Sequence, residues 1–514
     1  MSPPRRLLSS LLLIATTTTA AASPATQRVP EPPSALREQL SAFELGSQKP
    51  TAVIVKLASE PAAPYAAAFK NRGQAVAEAA RRSQLDKVRA ERGRILGELA
   101  RLGIRVNPRH TYEEALNGFA LTVPADQLAL IAAIPGVAGI YADPEVIADQ
   151  APLGEEGVPV EAPELVESVP AIGAPAIWAR GYRGEGRLVA ILDDGVDYTH
   201  PDLGGCLGTG CKVVGGYDFV DLDGDPQEAP GDYHGTHVAA TAAGLKGVAP
   251  GARILAVRVL GTNSTGKPSN LSSVMAGLDY AVRQGADVAN MSLGLGTTYA
   301  PSTNLWGEMV SNAVRAGVVL ANSNGNNGPG VYTTGVYAAS PDTIAVGNSD
   351  ARVVPYPRTR LTATGETLVG GAYGTPFPAS LRGVHLQVVD VGFGNAASDY
   401  AGRNVVGKLA IAQRGGPGDA AFANKANQAL AAGAAGLIIY NDAARATDFT
   451  TAALALPSYT LSYANGLKVI ANPLVVIEDF SPGPQMNSSS SRGPTPDLTI
   501  KPDVSAPGTA IVAA

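Results

Sequence analysis

The sequence predicts an α/β protein whose main part is a doubly wound, mostly parallel sheet, with a small α+β domain before it and a second compact unit inserted into it. Three observations lead to this prediction. From about residue 171, apolar strand-like runs alternate with helical runs, as in a parallel sheet that helices cover on both faces. Residues 51–147 follow a different order of elements. The alternation also stops over residues 355–479 and resumes afterwards.

The chain begins with the features of an export signal. Arg5 and Arg6 precede a short apolar stretch and a run of small residues that ends near Ala22. A membrane anchor is the alternative, but the apolar stretch is too short to span ~30 Å of hydrocarbon. We therefore predict a signal peptide over residues 1–23, a linker over residues 24–50, secretion to the extracellular space and no membrane span.

Length, charge and cysteine content narrow the class of protein. A chain of 514 residues is long enough for about two to four domains. Its net charge of −6 argues against a nucleic-acid partner. The two cysteines are Cys206 and Cys211, and outside the cytosol we expect them to form a local disulfide. A two-ligand metal site is the alternative, but it lacks nearby partners in the sequence.

Residues 51–147 are predicted to form the small α+β domain. The pattern indicates the order strand, helix, strand, helix, strand, which fits a split βαβ arrangement, over residues 51–58, 73–103, 116–124, 125–134 and 137–143. The next segment, residues 148–169, has several Glu and Pro and no periodicity of a buried face. We predict that it is an exposed acidic linker and the candidate place for proteolytic maturation.

The parallel-sheet domain is predicted over residues 170–354 and 480–514, with the inserted unit over residues 355–479. Its apolar strands are expected in "RLVAILDDG", "ARILAVRVL", "ADVANMSLG", "GVVLANSNG" and "DTIAVGNS". Helices are expected between them, in "HGTHVAATAAG", "LSSVMAGLDYAVRQG" and "LWGEMVSNAVRAG". Functional sites of such sheets lie outside the carboxyl ends of the strands, so polar residues at these ends are the first candidates for site residues.

Three polar residues stand at such ends. Asp193 follows an apolar strand, where a lone Asp is most often a turn former. His234 opens a helix together with His237, but a helical zinc pair would have four-residue spacing and an intervening Glu, which disfavours a metal site. Asn326 lies in a Gly-flanked loop after another strand, where its amide is able to donate a hydrogen bond to an oxyanion.

Taken together, these stretches resemble the subtilisin-like serine proteases, or subtilases. The matching stretches cover nearly the whole chain after the signal peptide, and they are "DDGVDYTHPDL", "HGTHVAATAAG", "VANMSLG", "GNNGP", "SSRGP" and "KPDVSAPGT". The resemblance implies that Asp193 holds and polarises the imidazole of His234, the general base, and that Asn326 completes the oxyanion hole. The family usually has Thr or Ser after the catalytic Asp. Asp194 stands here instead, and it either adds a like charge beside Asp193 or points to solvent.

The resemblance also assigns the substrate edge and the partners. Ser292, Leu293 and Gly294 are expected to line the edge that binds an extended protein or peptide substrate. No cofactor is expected to be required, and no catalytic metal. Asp221, Asp223, Asp225 and Asp232 have spacing near that of an EF-hand, but Pro226 stands where Gly is needed. A structural calcium ion in this loop is left open, with a solvated turn as the favoured alternative.

The flanking modules fit the same family. Residues 51–147 resemble the inhibitory propeptide of a zymogen, which acts as an intramolecular inhibitor. Residues 355–479 resemble a protease-associated domain, which serves either as a lid that binds substrates or partners or as a passive spacer. In subtilases a "GTSMA" type segment with the nucleophilic Ser follows "KPDVSAPGT". The sequence predicts that residues 1–514 alone are an inactive, C-terminally truncated peptidase. The alternative is a non-catalytic binding or inhibitor protein derived from a subtilase.

Overall fold

The structure is a computed structural model, and it describes residues 32–148, 165–294, 305–349, 356–371, 373–416, 421–444, 453–480 and 486–508, together with residues 449, 451, 511 and 513. The described elements form three units. The N-terminal unit comes first, then a parallel-sheet unit, and residues 356–480 form a third unit. The predicted signal peptide lies outside the described residues.

The N-terminal unit contains a four-stranded antiparallel sheet in the order β2-β3-β1-β4. Val53 and Val55 face one side of this sheet, where they pack with Ile95 and Leu99, while Ile54 between them faces the parallel-sheet unit. The elements are α1 (Ser34–Leu40), β1 (Pro50–Leu57), α2 (Ala62–Ala67), α3 (Gln74–Arg101), β2 (His110–Tyr112), β3 (Gly118–Pro124), α4 (Leu128–Ala132), β4 (Val137–Ala142) and the two-residue β5 (Ile147–Ala148).

The predicted linker over residues 24–50 is wrong in part. Residues 34–40 form α1, and Leu36 and Leu40 are buried in the core of the N-terminal unit. Apolar residues four positions apart lie on one face of a helix, so this short segment has a face that it buries against the sheet. Residues 24–31 lie outside the described part of the chain.

The parallel-sheet unit is built on seven parallel strands in the order β21-β12-β11-β9-β6-β8-β7. The strands and helices predicted here are confirmed. The elements are α5 (Leu165–Ala171), α6 (Ala174–Trp178), β6 (Leu188–Asp193), β7 (Val213–Asp218), α7 (His234–Ala243), β8 (Arg253–Arg258), α8 (Leu271–Arg283), β9 (Val288–Met291), β10 (Leu293–Gly294), α9 (Leu305–Ala316), β11 (Val319–Ser323) and β12 (Ile344–Ser349), with β21 (Val504–Pro507) returning after the third unit.

The predicted exposed linker over residues 148–169 is also wrong at its end. Leu165 and Val169 are buried and belong to a small cluster with Ala174, because α5 already begins at Leu165. The acidic and proline-rich composition of the segment concealed this one apolar face. Residues 149–164 lie outside the described part. Among the helices that the structure describes, none has the length and apolar character needed to cross a membrane.

The third unit has a mixed eight-stranded sheet in the order β14-β13-β20-β16-β17-β18-β19-β15, with a core on each face. The chain leaves the parallel sheet after β12 and returns at β21, which pairs with β12. The elements are β13 (Tyr356–Leu361), β14 (Thr367–Val369), β15 (Tyr373–Thr375), β16 (His385–Asp390), β17 (Leu409–Gln413), α10 (Phe422–Ala431), β18 (Gly436–Tyr440), β19 (Ser458–Leu461), α11 (Tyr463–Ala471) and β20 (Leu474–Phe480).

Candidate active site

The alternation of side chains along β6 decides where Asp193 points. Val189 and Ile191 belong to the core under α7, whereas Leu188, Ala190 and Leu192 belong to the core on the opposite face. Because successive side chains of a strand face opposite sides, Asp193 faces α7 as Val189 and Ile191 do. Asp193 is fully buried. A carboxylate is therefore placed beneath the first turn of α7.

His234 is the first residue of α7, and its ring contacts that carboxylate. Its Nδ1 lies 2.7 Å from Oδ1 of Asp193. The backbone N–H of Asp194 donates to the same oxygen at 2.8 Å. Within the described part of the chain, Oδ2 of Asp193 is buried and has no hydrogen-bond partner. The pair has the arrangement in which a carboxylate fixes the tautomer and the orientation of an imidazole.

Asp194 is buried as well, so the alternative that its side chain points to solvent is wrong. Its Oδ1 accepts a hydrogen bond from the backbone N–H of Gly235 at 2.6 Å. Burial and then the charge of Asp193 raise the pKa of Asp194 to about 7. Burial also raises the pKa of Glu228, whose carboxylate accepts a hydrogen bond from Thr236, the residue after Gly235 in α7.

The other predicted site residues follow the two neighbouring strands. Ser292 comes after β9, which pairs with β6, and Leu293 and Gly294 form β10. Asn326 lies in the loop after β11, which pairs with β9. Parallel strands have their carboxyl ends at one edge of the sheet, so Asp193, Ser292 and Asn326 follow three adjacent strands at the same edge. Asn326 is half-buried, and the loop around it is held by the Ser491 hydroxyl, which accepts from Asn327 N–H at 2.9 Å.

The predicted substrate edge is paired with the chain itself. Strand β10 forms an antiparallel pair with β5, with Leu293 opposite Ala148 and Gly294 opposite Ile147. On the other side of this segment, the N–H of Val146 donates to the carbonyl of Ser269 at 3.1 Å. Residues 145–148 therefore lie as an added strand between two stretches of the parallel-sheet unit.

The two histidines of "HGTH" do not face one another. Nε2 of His237 lies 3.0 Å from the carbonyl oxygen of Ile511, and burial lowers the pKa of His237. In the described residues, the side chains with potential ligand atoms within 4.8 Å of one another are those of Asp193, Asp194 and His234, and this cluster excludes His237. The helical pair that a zinc motif would need is thus not assembled.

In the acidic loop considered for calcium, carboxylates already have protein partners, and the calcium ion stays a prediction. Arg258, itself a cation, donates to Oδ2 of Asp221 at 3.0 Å, and the N–H of Ser264 donates to Oδ1 at 2.7 Å. Asp223 accepts the backbone N–H of Asp225 at 2.9 Å. Calcium needs six to eight oxygen ligands, whereas these carboxylates already neutralise an arginine and cap a turn. The loop is stabilised by its own hydrogen bonds.

Two buried serines and the two cysteines have defined partners in the structure. Ser490 and Ser491 are buried, and their hydroxyls accept hydrogen bonds from the backbone N–H groups of Asn348 and Asn327, both at 2.9 Å. These hydroxyls stabilise β12, where Asn348 lies, and the loop after β11. The disulfide between Cys206 and Cys211 is confirmed, with 5.6 Å between the two Cα atoms.

Sequence analysis missed how the N-terminal unit is attached beside the site. Asp279 of α8 is buried and accepts the backbone N–H groups of Glu113, Glu114 and Ala115. Asp143 accepts both the N–H and the hydroxyl of Ser272 at 2.7 Å, which caps the start of α8. An acidic residue within the apolar run "AGLDYAV" was the available signal, because a carboxylate on a buried helix face needs donors from a partner.

Comparisons with known proteins agree with this geometry. The family described as the subtilase family matches residues 184–513. The chain is 36% identical over 428 residues to the minor extracellular protease Vpr of Bacillus subtilis (strain 168), covering 78% of this chain and 51% of the relative. The major intracellular serine protease of the same strain is 41% identical over 197 residues, which is 36% of this chain and 58% of that protein.

Subtilisin E of the same strain is 39% identical over 196 residues, covering 36% of this chain and 47% of the relative. The chain thus spans about half the length of the curated relatives it matches. The family match covers well over half of the chain and includes both Asp193 and His234. The chain therefore belongs to the subtilase family of subtilisin-like serine proteases.

Proposed function

We propose that the chain is the proenzyme part of a secreted serine endopeptidase in which Asp193 and His234 are two members of a Ser-His-Asp triad. The observation that carries this proposal is the 2.7 Å contact between Asp193 Oδ1 and His234 Nδ1 at the carboxyl end of the sheet. In such a triad, Nε2 of the imidazole takes the proton of the serine hydroxyl and later gives it to the leaving amine. Asp193 stays ionised and stabilises the imidazolium that forms in between.

Asn326 is proposed to donate its side-chain amide to the oxyanion of the tetrahedral intermediate. Its position supports this role, because it follows β11 at the same edge of the sheet as Asp193. A donor of this kind lowers the barrier only if it is fixed before the charge develops. The contacts of its loop with residues 489–492 provide that fixation, among them the N–H of Ser491 to the carbonyl of Gly325 at 2.8 Å.

The N-terminal unit is proposed to be the intramolecular inhibitor. The pairing of β5 with β10 supports this role, because an extended substrate would add its own strand to the same edge, at Ser292–Gly294. Two carboxylates hold the unit against α8. Asp279 of α8 accepts hydrogen bonds from the backbone of the unit, and Asp143 of the unit accepts hydrogen bonds from the start of α8. In this state the substrate edge is occupied, so the proenzyme does not bind substrates there.

Maturation is proposed to occur in the segment 148–169, close to Ala148. The antiparallel register supports this choice: as residue numbers rise from Ile147 to Ala148, the partner changes from Gly294 to Leu293, towards Ser292. That direction leads to the end of β6, where Asp193 lies. Mass spectrometry of the mature product is expected to find a new N-terminus between residues 149 and 169. An N-terminus within 51–140 would contradict the inhibitor assignment.

The third unit is proposed to be a protease-associated domain that acts as a lid for substrates or partners. Its own two cores and its entry and exit beside β12 and β21 support an independent module. A variant that lacks residues 356–480 is expected to cleave short peptides normally and protein substrates less well. Unchanged cleavage of both substrates would favour the passive spacer.

The proposed triad requires a serine nucleophile, and the chain spans about half the length of the relatives it matches, so the test compares it with a longer product. Purified residues 1–514 are expected to show no turnover of an extended peptide substrate and no reaction with a phenylmethylsulfonyl reagent. A longer product whose reading frame continues through a Gly-Thr-Ser-Met segment is expected to show both. The matched control is His234→Ala in the longer product, which should abolish turnover.

Each other outcome has a defined meaning. Phenylmethylsulfonyl-sensitive turnover by residues 1–514 would contradict the prediction that these residues alone are inactive. A stop codon directly after Ala514 would favour the non-catalytic binding or inhibitor protein. Loss of turnover of the longer product in a chelator, restored by added metal, would contradict the proposal that no cofactor is required and would favour metal-dependent hydrolysis.

A further inference from the structure

The residue after the proposed catalytic aspartate differs from the usual choice of the family. Asp194 stands where Thr or Ser is usual, and it is 4% exposed. A buried carboxyl group is costly unless it has partners, so its contacts indicate what it does. Within the described part of the chain, its Oδ1 accepts a hydrogen bond from the backbone N–H of Gly235 at 2.6 Å.

Two consecutive acids hold two consecutive residues of α7. Asp193 contacts the ring of His234, and Asp194 accepts the backbone N–H of Gly235. The fit is close, because a Cβ at Gly235 would lie 1.9 Å from the carbonyl oxygen of Gly195 and 2.8 Å from Oδ1 of Asp194. The first turn of α7 is thus seated on the turn after β6, and the contact to Gly235 lies one peptide away from His234.

The surroundings of Asp194 are acidic. Its neighbours with charge are Asp193 at the end of β6, His234 at the start of α7 and Asp232 in the loop before α7. Glu228 accepts a hydrogen bond from Thr236 of the same helix, and His237, also a residue of α7, contacts the carbonyl oxygen of Ile511. On the adjacent β8, the guanidinium of Arg258 binds Asp218 and Asp221. Ionisation of Asp194 therefore adds a second negative charge next to the Asp193–His234 pair.

We propose that Asp194 is a positioning residue of this site, which holds the imidazole of His234 in place through Gly235 and sets the charge beside the Asp193–His234 pair. The inference deepens the proposed function and rests on the roles proposed there for Asp193 and His234. The burial and the neighbouring charge that raise the pKa of Asp194 to about 7 place this change of charge near neutral pH.

The test reads the imidazole directly and needs no turnover. Residues 1–514 labelled with ¹⁵N contain five histidines, so their ring signals can be followed from pH 4 to 9, with His234→Gln for assignment. Asp194→Asn keeps an acceptor for Gly235 N–H but cannot ionise. It is expected to lower the pKa of His234 by about one unit, because a carboxylate within a few ångströms favours the imidazolium. It should also remove an inflection near pH 7 from the His234 curve.

A second variant separates the effect of the hydrogen bond between Asp194 and Gly235 from the effect of the charge of Asp194. Asp194→Ala is expected to lower the pKa of His234 in the same way and, in addition, to abolish the slowly exchanging Nδ1–H signal, which Asp194→Asn retains. The control is Asp223→Asn, because Asp223 lies in an exposed turn and its carboxylate accepts from Asp225. In this control the His234 curve should be that of the wild type.

A His234 curve that is the same in wild type and Asp194→Asn would overturn the role of the charge. An Nδ1–H signal retained in folded Asp194→Ala would overturn the positioning role. If the alanine variant does not fold, the asparagine variant decides alone, and a merely structural contribution would leave its His234 titration unchanged. Failure of the proposed peptidase would appear as absent turnover in the longer product and would not alter these titrations.

Discussion

Two buried carboxylates of the parallel-sheet unit differ in how many hydrogen-bond partners they have. Asp279 of α8 accepts three backbone N–H groups from the N-terminal unit, at 3.1, 2.9 and 2.7 Å. Asp193 accepts one backbone N–H and contacts one imidazole, both at Oδ1, and its Oδ2 has no partner in the described part of the chain. A carboxylate saturated by main-chain donors is an anchor, whereas one with spare acceptor capacity can respond to a charge that forms beside it.

The largest expected effect separates the two carboxylates by turnover. In the longer product, Asp193→Asn is expected to lower kcat by about 10⁴-fold, because the amide favours the wrong imidazole tautomer. Asp279→Asn should leave kcat of the mature enzyme unchanged, since its partners lie in the N-terminal unit. The measurement is kcat on an extended peptide after removal of that unit. A comparable loss in both variants would remove the distinction.

Stability is expected to show the reverse order. Asp279→Ala leaves three backbone donors unsatisfied where the N-terminal unit contacts α8. This should cost about 3 kcal/mol or more of the free energy of unfolding. Asp193→Ala should cost less than about 1 kcal/mol, because a catalytic carboxylate is not arranged for stability. Denaturant midpoints of residues 1–514 and the two variants provide the check. The comparison fails if Asp193→Ala is the more damaging substitution.

The pH dependence of stability sharpens the comparison further. Burial raises the pKa of Asp279 to about 7, so the folded protein holds that proton at pH values where the unfolded chain has released it. The stabilisation is therefore complete below about pH 4 and is lost as the pH rises towards 7. Relative to Asp279→Asn, the wild type should lose stability across this window, as followed by denaturant midpoints at each pH.

His110, which also lies where the N-terminal unit contacts α8, has its pKa shifted in the opposite direction. Burial, and then Arg109, lower the pKa of His110 to about 3, so the unfolded chain takes up the proton first. Its stabilisation is present above about pH 6.5 and is lost as the pH falls towards 3. Relative to His110→Asn, the wild type should lose stability on acidification. Parallel curves for wild type and variant would show that the His110 imidazole does not contribute.

The smallest expected effect concerns the contact of Asp143 with Ser272, between the N-terminal unit and α8. Asp143 caps α8 from the N-terminal unit, through the N–H and the hydroxyl of Ser272. Asp143→Ala should cost about 1 kcal/mol, the usual value for a lost N-terminal cap, and Asp143→Asn less. The denaturant midpoint measures both. If Asp143→Ala costs as much as Asp279→Ala, the number of main-chain donors does not determine the strength of the anchor.

Much of the fold and half of the site geometry follow from local sequence patterns. The strand that ends at Asp193 and the helix that begins at His234 were predictable, because apolar periodicity and glycine turns mark them. Alternation along β6 then brings the two side chains together. Asp279 left a signal, as an acid within an apolar run, but its partners and those of Asp143 and residues 145–148 were not predictable. They join segments more than a hundred residues apart, mostly through backbone groups.

The short helices α1 and α5 show a different limit. Each buries two apolar side chains four positions apart within a stretch of Pro, Glu and small residues. Helix propensity is a weak guide for seven residues, and their helical state depends on packing against units already formed. Composition alone therefore suggested linkers. The role of Asn326 stays a prediction, with its place after β11 as the support.

The two-residue pairing of β5 with β10 has a consequence for solubility. A strand edge with free N–H and C=O groups attracts further strands, and natural proteins cover or interrupt such edges. Here Ile147 and Ala148 cover the edge at Leu293 and Gly294. Under the proposed maturation, removal of the N-terminal unit would therefore expose this edge. We expect the released form to self-associate more readily than the proenzyme, most of all where no peptide is present to take the vacated place.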